Sequence, residues 1–228
     1  VGDNDPTQAT FFVAQALSNP EIGSELINYS ASSAADFRIE IDATSLWEAN
    51  DTGWAADGIG NQAPPRAFDW GITNFIGDGT NFTWYGNGKQ VAQIADATGP
   101  DAGTGSEGWS LGDHIAGSEG STNVYLPEVV VYNGNPSLAD AQKIQTYLAI
   151  KYGVTLDNTD NDGTIAEGDY VDSAGNVIWD GDIAGANAAF QYNVAGIGRD
   201  DASDTDRRVG TSVNTDSIVT MALDNNFT

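Results

Sequence analysis

Apolar runs of about four to eight residues recur along the chain, separated by Gly, Asn, Asp and Pro, and this spacing predicts strands rather than helices. The first strand is expected over TFFVAQAL, Thr10 to Leu17, and a second over Ser24 to Ser30 after a turn at Pro20 and Gly23. FRIEI, Phe37 to Ile41, alternates apolar and charged positions, as a strand with one face in a core and one in water should. Another strand is expected over Arg66 to Ile72. Asn81 to Ile94 reads as a hairpin, because Asn87-Gly88 supplies the left-handed pair that a tight two-residue turn needs. Leu126 to Tyr132 is a β-branched run that reads as a buried strand closing a sheet.

One segment breaks the rhythm. Ser137 followed by Asp140 forms a capping box, Leu138, Ala141, Ile144, Gln145, Leu148 and Tyr152 fall near helical spacing, and Gly153 stands where a helix C-cap belongs. Beyond Leu156 acidic turns alternate with short strands. YVDSAGNVIWD predicts a hairpin around Ala174-Gly175-Asn176, and SIVTMALDNNFT predicts a last strand. Asn50 to Pro65 and Gly99 to Thr122 are expected to be long loops.

The chain of 228 residues carries 27 Gly, 6 Trp, 8 Tyr and 8 Phe, in keeping with an all-β protein rich in turns. Eight Lys and Arg stand against 33 Asp and Glu, a net charge of -25. That balance excludes nucleic acid and anionic membrane as partners, since both require positive surface. It suits a divalent cation such as Ca2+, whose oxygen ligands are short carboxylates on turning backbone, and it suits solubility in a saline medium equally well. There are no cysteines, so disulfides and thiolate metal sites are excluded. No run is long enough to predict membrane insertion. The first residues carry no leader pattern, so Val1 is expected to be an excision point within a longer polypeptide.

The strand ending EVVVYN with the capped helix carrying YLAIKYG, and the upstream hairpin TWYGNGKQVA, resemble motifs of the laminin-G-like (concanavalin-A-like) jelly-roll domains of large bacterial surface adhesins of the RTX type. The resemblance spans roughly Thr10 to Leu156. It implies a jelly-roll β-sandwich with one short helix over residues 1–153, and a small acidic β appendage over 154–228. It also implies an extracellular, cell-surface location, calcium, a cell-surface glycan or peptide as partner, and neighbouring domains of the same long chain.

Asn158 to Asp169 approximates a calcium loop, with oxygen donors at Asn158, Asp160 and Asp162, Gly163 for the bend, the Thr164 carbonyl, and Asp169 where a bidentate Glu is usual. Asp200 and Asp201 are a second candidate metal pair, beside arginines that could equally neutralise them. Planar aromatics and loop carboxylates or amides suit a sugar. Trp54, Asp57, Asn61, Trp70, Trp109, Asp113 and His114 are the ligand candidates, each Trp having a core role as its rival reading. Glu40 and Asp42 begin a glycosidase-like E-x-D-x-x-E pattern whose second Glu is missing, Ser45 standing in its place. The chain is therefore expected to be a non-catalytic, calcium-dependent, lectin-like binding module. A calcium-stiffened structural spacer is the alternative.

Overall fold

The computed structural model describes residues 9–17, 25–30, 37–41, 47–51, 59–62, 70–77, 80–95, 108–111, 124–159, 167–212 and 219–223. The chain divides into two compact units, one of residues 1–84 and 91–135, the other of 85–90 and 136–228.

The first unit is built on strands β1 (Ala9–Leu17), β2 (Glu25–Ser30), β3 (Phe37–Ile41), β4 (Trp47–Asp51), β5 (Ile59–Gln62), β6 (Trp70–Gly77), β7 (Asn81–Gly86), β8 (Lys89–Ala95), β9 (Gly108–Leu111) and β10 (Val124–Asn133). They form two five-stranded sheets, ordered β10-β1-β6-β7-β8 and β5-β4-β3-β2-β9. In the first sheet β1 runs antiparallel to both β10 and β6. In β6, Gly71 to Gly77 are buried on both faces of the strand, as are Phe82 to Tyr85 of β7. Phe75 stacks on Phe82 at 5.9 Å and on Trp84 at 5.5 Å between ring centroids, an aromatic nucleus for this core. Asn74, also fully buried, has neither side-chain amide atom hydrogen-bonded.

Two expectations change here. β10 lies at the sheet edge, with Tyr125, Val131 and Tyr132 exposed, so its apolar run marks an edge strand rather than a buried one. Part of the expected Asn50 to Pro65 loop is strand: Asn50 and Asp51 end β4, and β5 pairs with it. Turn-forming residues in β5 (IGNQ) hid an edge strand whose pairing, not its propensity, forms it.

The second unit is organised by α1 (Leu138–Tyr152). Its N-cap Ser137 Oγ accepts the Asp140 N–H at 3.1 Å and donates to Asp140 Oδ2 at 2.7 Å. Gly153 ends the helix at φ 69°, a left-handed conformation that glycine adopts without a Cβ penalty. The Arg207 guanidinium donates to the Lys151 carbonyl at 2.7 Å, satisfying an orphan acceptor of the last turn. The remaining strands are β11 (Tyr170–Val171), β12 (Val177–Trp179), β13 (Gly198–Asp200), β14 (Thr205–Arg207), β15 (Val209–Thr211) and β16 (Thr220–Ala222), joined as three two-stranded ribbons. A 3-10 turn covers Ala188–Asn193.

The turn of the β7–β8 hairpin belongs to this second unit. Asn87 and Gly88 have φ of 50° and 88°, as expected of Asn-Gly, and the Asn87 carbonyl accepts the Asp157 N–H at 2.8 Å. The Tyr170 hydroxyl, buried, accepts the Leu156 N–H at 3.0 Å and donates to the Val154 carbonyl at 3.4 Å. Burial pushes its pKa up to about 12. The Val171 N–H donates to Thr146 Oγ1 at 3.1 Å, tying β11 to α1.

Candidate functional site

The register of the β5-β4-β3-β2-β9 sheet sorts its residues into two faces, because positions two apart along a strand share a face and directly paired residues do too. Ile27, almost fully buried, pairs with Ile39 on one side and Leu111 on the other, and Ile39 pairs with Ala49, which pairs with Ile59. That row is apolar; Leu111 on the edge strand β9 is exposed, while Ile27 within the row is buried, which marks the core face. Leu26, next in sequence, is buried as well, which the register shift between Glu25 and Ile27 permits.

The alternate positions on β2, β3, β4 and β9 include polar residues. One row runs Ser110, Asn28, Arg38, Asn50 across β9, β2, β3 and β4. The next row on the same face runs Glu25, Glu40, Glu48 and ends at Gly60 of β5. Adjacent strands lie about 4.7–4.9 Å apart, and two residues along a strand span about 6.6–6.8 Å. Asn28, Arg38 and Asn50 therefore hold one row of register positions, and Glu25, Glu40 and Glu48 hold the next.

The ligand candidates read from the sequence fall elsewhere. Trp109 pairs with Tyr29, two positions from Ile27, so its register position is on the core face. Asn61 lies in β5 between Gly60 and Gln62, at the point where the register with β4 shifts. Trp70 opens β6, in the other sheet, opposite Ala16. The structure does not bring these three to one face. Trp54, Asp57, Asp113 and His114 lie outside the described residues. Reasoning from loops missed Asn28, Arg38 and Asn50. The legible signal was the alternation of FRIEI and of WEAND, once the two are set in register.

Of the candidate metal ligands, Asp160, Asp162 and Thr164 also lie outside the described residues. Asn158 is buried, and its Nδ2 donates to the carbonyls of Gly181 at 2.8 Å and Ala188 at 3.1 Å. Asp169 is buried, and its Oδ1 accepts the Asp182 N–H at 2.9 Å. Burial pushes the Asp169 carboxyl above its ordinary value, and the charges of Asp180 and Asp182 add to this, against donation from the Asp182 and Gly181 backbone. Asp200 accepts the Ser173 N–H at 2.9 Å and the Ser173 hydroxyl at 2.8 Å, which hold its carboxyl below the ordinary value. Asp201 pairs with Arg199. Among the described residues, no three His, Cys, Asp or Glu side chains converge in a way that could hold a metal ion.

Residues 140–228 match the family model DUF8202, a domain of unknown function. No curated protein gives a significant sequence match. Solved structures do resemble the chain. Trypanosoma rangeli sialidase in complex with sialic acid is 14% identical, with a TM-score of 0.50 over 63% of this chain and 23% of its own. A second structure of that sialidase, with 2,3-difluorosialic acid as covalent intermediate, is 13% identical over 57% of this chain and 21% of its own, with a TM-score of 0.46. Caenorhabditis elegans galectin LEC-6 is 13% identical over 55% of this chain and 82% of its own, at a TM-score of 0.38.

At these identities the likeness concerns fold alone: a mostly β chain of the sheet-on-sheet kind. The chain spans under a quarter of the length of the sialidases it matches. The expectation that the chain is not an enzyme is corrected, because the fold neighbour at a TM-score of 0.50 is a sialidase. The argument behind it fails on geometry as well. It sought the second carboxylate along one strand, whereas the register sets Glu48 of β4 directly opposite Glu40 of β3. No helix among the described residues is long and apolar enough to cross a membrane.

Proposed function

We propose that the first unit is a carbohydrate-binding β-sandwich of the laminin-G-like jelly-roll kind, within an extracellular, cell-surface protein. The observation that carries this reading is the polar face of the β5-β4-β3-β2-β9 sheet, where Ser110, Asn28, Arg38 and Asn50 line up beside Glu25, Glu40 and Glu48. Sugar hydroxyls each donate and accept, so a surface that sets donors and acceptors side by side, opposite its own apolar face, matches them better than it matches an apolar peptide. Calcium remains part of the proposal on the strength of the acidic composition, as a stabiliser of the acidic loops.

One observation favours a second reading, cleavage of the carbohydrate. Residues directly opposite across two antiparallel strands have Cβ atoms about 4.5–5.5 Å apart. The register places Glu40 and Glu48 as such a pair, and a pair of carboxylates is what most glycosidases use. The test is a glycan array probed with the whole chain, with bound glycans then assayed for released reducing ends. Binding without release supports the first reading, and release supports the second. A blank array, from protein shown to be folded by its thermal transition, removes both.

A further inference from the structure

The edge of a β-sheet is a template for another strand, and three of the four sheet edges in the first unit are blunted. β5 and β9, at the two ends of one sheet, are four residues long each. β8, at one end of the other sheet, carries Lys89, Gln90 and Gln93, and Gln93 Nε2 donates to Thr83 Oγ1 at 2.9 Å. β10, at the opposite end, is ten residues long, and among the described residues no strand pairs with its outer edge. The exposed large apolar residues described in the first unit are Leu111, Tyr125, Val131 and Tyr132, and the last three stand on β10. The open stretch has clear ends. Ala14 pairs with Glu128 and Ala16 with Tyr125, so Leu126 and Pro127 together oppose Gln15, and Pro127 has no N–H to offer a further strand. At the other end Gly134 turns the chain away at φ 108°. Between them Glu128 to Asn133 keep unbroken register with β1.

We infer that this stretch pairs with itself: β10 of one copy of the chain adds antiparallel to β10 of a second copy, about a two-fold axis through Val130. Directly opposed residues must share a face, so an axis normal to the sheet has to fall on a residue rather than between two. An axis at Val129 brings Pro127 into the paired stretch, and one at Val131 sets Glu128 against Gly134, beyond the end of the strand. The axis at Val130 sets Val130 against the partner's Val130, Val129 against the partner's Val131 and Glu128 against the partner's Tyr132. The one carboxylate of EVVVY then meets a phenol that can donate to it, not a like charge, and β-branched side chains meet β-branched side chains. This self-complementarity selects a second copy as the occupant. The net charge of -25 opposes association, so the dimer tightens as salt screens it, whereas contact with a basic partner would weaken. An axis normal to the sheet also turns the same side of both copies one way, so a ligand site on the first unit is presented twice and gains avidity for a repetitive surface.

The experiment is sedimentation velocity on the whole chain at about 1–100 µM, in low and in high sodium chloride. A monomer–dimer equilibrium that tightens as salt rises is expected. Val131→Asp, at a position 59% exposed, should weaken the dimer by at least about tenfold, while Leu111→Asp, 53% exposed on β9, should leave it unchanged. An unchanged thermal transition confirms each variant as folded, and both add the same charge. The chain has no cysteine, so Val130→Cys can crosslink only to the same position of the partner. Opposed Cα atoms lie about 4.5–5.5 Å apart in an antiparallel pair, a distance a disulfide spans. Val130→Cys should therefore crosslink on mild oxidation and Tyr125→Cys should not. A monomer at every concentration and salt would overturn the inference and leave the edge to a strand of another protein. A dimer that survives Val131→Asp, that Leu111→Asp abolishes, that salt dissociates, or that crosslinks through Tyr125→Cys in preference to Val130→Cys would overturn it as well.

Discussion

The Tyr170 hydroxyl holds the Leu156 N–H and reaches the Val154 carbonyl inside the second unit, so removing it leaves a buried donor without an acceptor. Tyr170→Phe should cost about 1–3 kcal/mol, read from chemical unfolding. Asn74 presents the converse case, an amide buried with neither atom bonded, between Ile72 and Ile76 on one face of β6. Asn74→Leu should raise stability by about 1–2 kcal/mol, because it removes an unmatched desolvation cost at similar volume. A fall instead would indicate that a buried water or ligand uses the amide. Two aspartates respond to acid in opposite ways. The lowered pKa of Asp200 means its contribution is present above the ordinary value of 3.8 and is lost as pH falls below it through the folded value. The raised pKa of Asp169 gives a contribution present below 3.8 that is lost as pH rises through its folded value. Asp200→Asn should therefore flatten the acid limb of the melting temperature below pH 3.8.

At the scale of elements, one tight constraint is the crossing of two backbone segments at Gly168 and Gly181. A Cβ on Gly181 would clash with the Gly168 carbonyl oxygen, and one on Gly168 would sit 2.8 Å from the Gly181 oxygen. No side-chain rotation relieves a clash with backbone. Gly181→Ala should cost about 3 kcal/mol or more in thermal unfolding, whereas Gly196→Ala, whose Cβ meets nothing within 4 Å, should be near neutral. The same crossing explains the burial of Asn158. Its amide bridges the Gly181 and Ala188 carbonyls and so fastens the segment after α1 to the turn region beyond β12. Helix α1 was fully legible from its sequence, because capping is local chemistry: Ser137, Asp140 and Gly153 do in the structure what their types and spacing require. Strands β4 and β5 were not, because IGNQ becomes a strand only through the partner beside it.

For the molecule as a whole, the excess of 33 acidic over 8 basic residues must press against compactness. Sodium chloride raised from low to high concentration should increase the melting temperature by screening this repulsion, with a shallow, continuous dependence. Calcium acting only as a screening ion will follow the same curve at matched ionic strength. Calcium bound at a site will exceed it and saturate, with the rise set by concentration over dissociation constant. Differential scanning calorimetry in matched sodium and calcium series separates the two. The loop candidates Asp160, Asp162 and Thr164 are then the positions to substitute.

Composition and local pattern sufficed for the all-β class, the Asn87-Gly88 hairpin and the capped helix, because each depends on residues within a turn or two of one another. Which residues share a face was decided by the tertiary structure alone. Asn28, Arg38 and Asn50 are separated in sequence by strands, turns and an apolar residue at every second position, and only the register of β2 with β3 and of β3 with β4 makes them one row. The same holds for Glu40 and Glu48, eight positions apart in the chain yet directly opposite in the sheet. Strand pairing is non-local, and a shift of one residue would reverse every face, so the polar surface could be read only once the pairing was known.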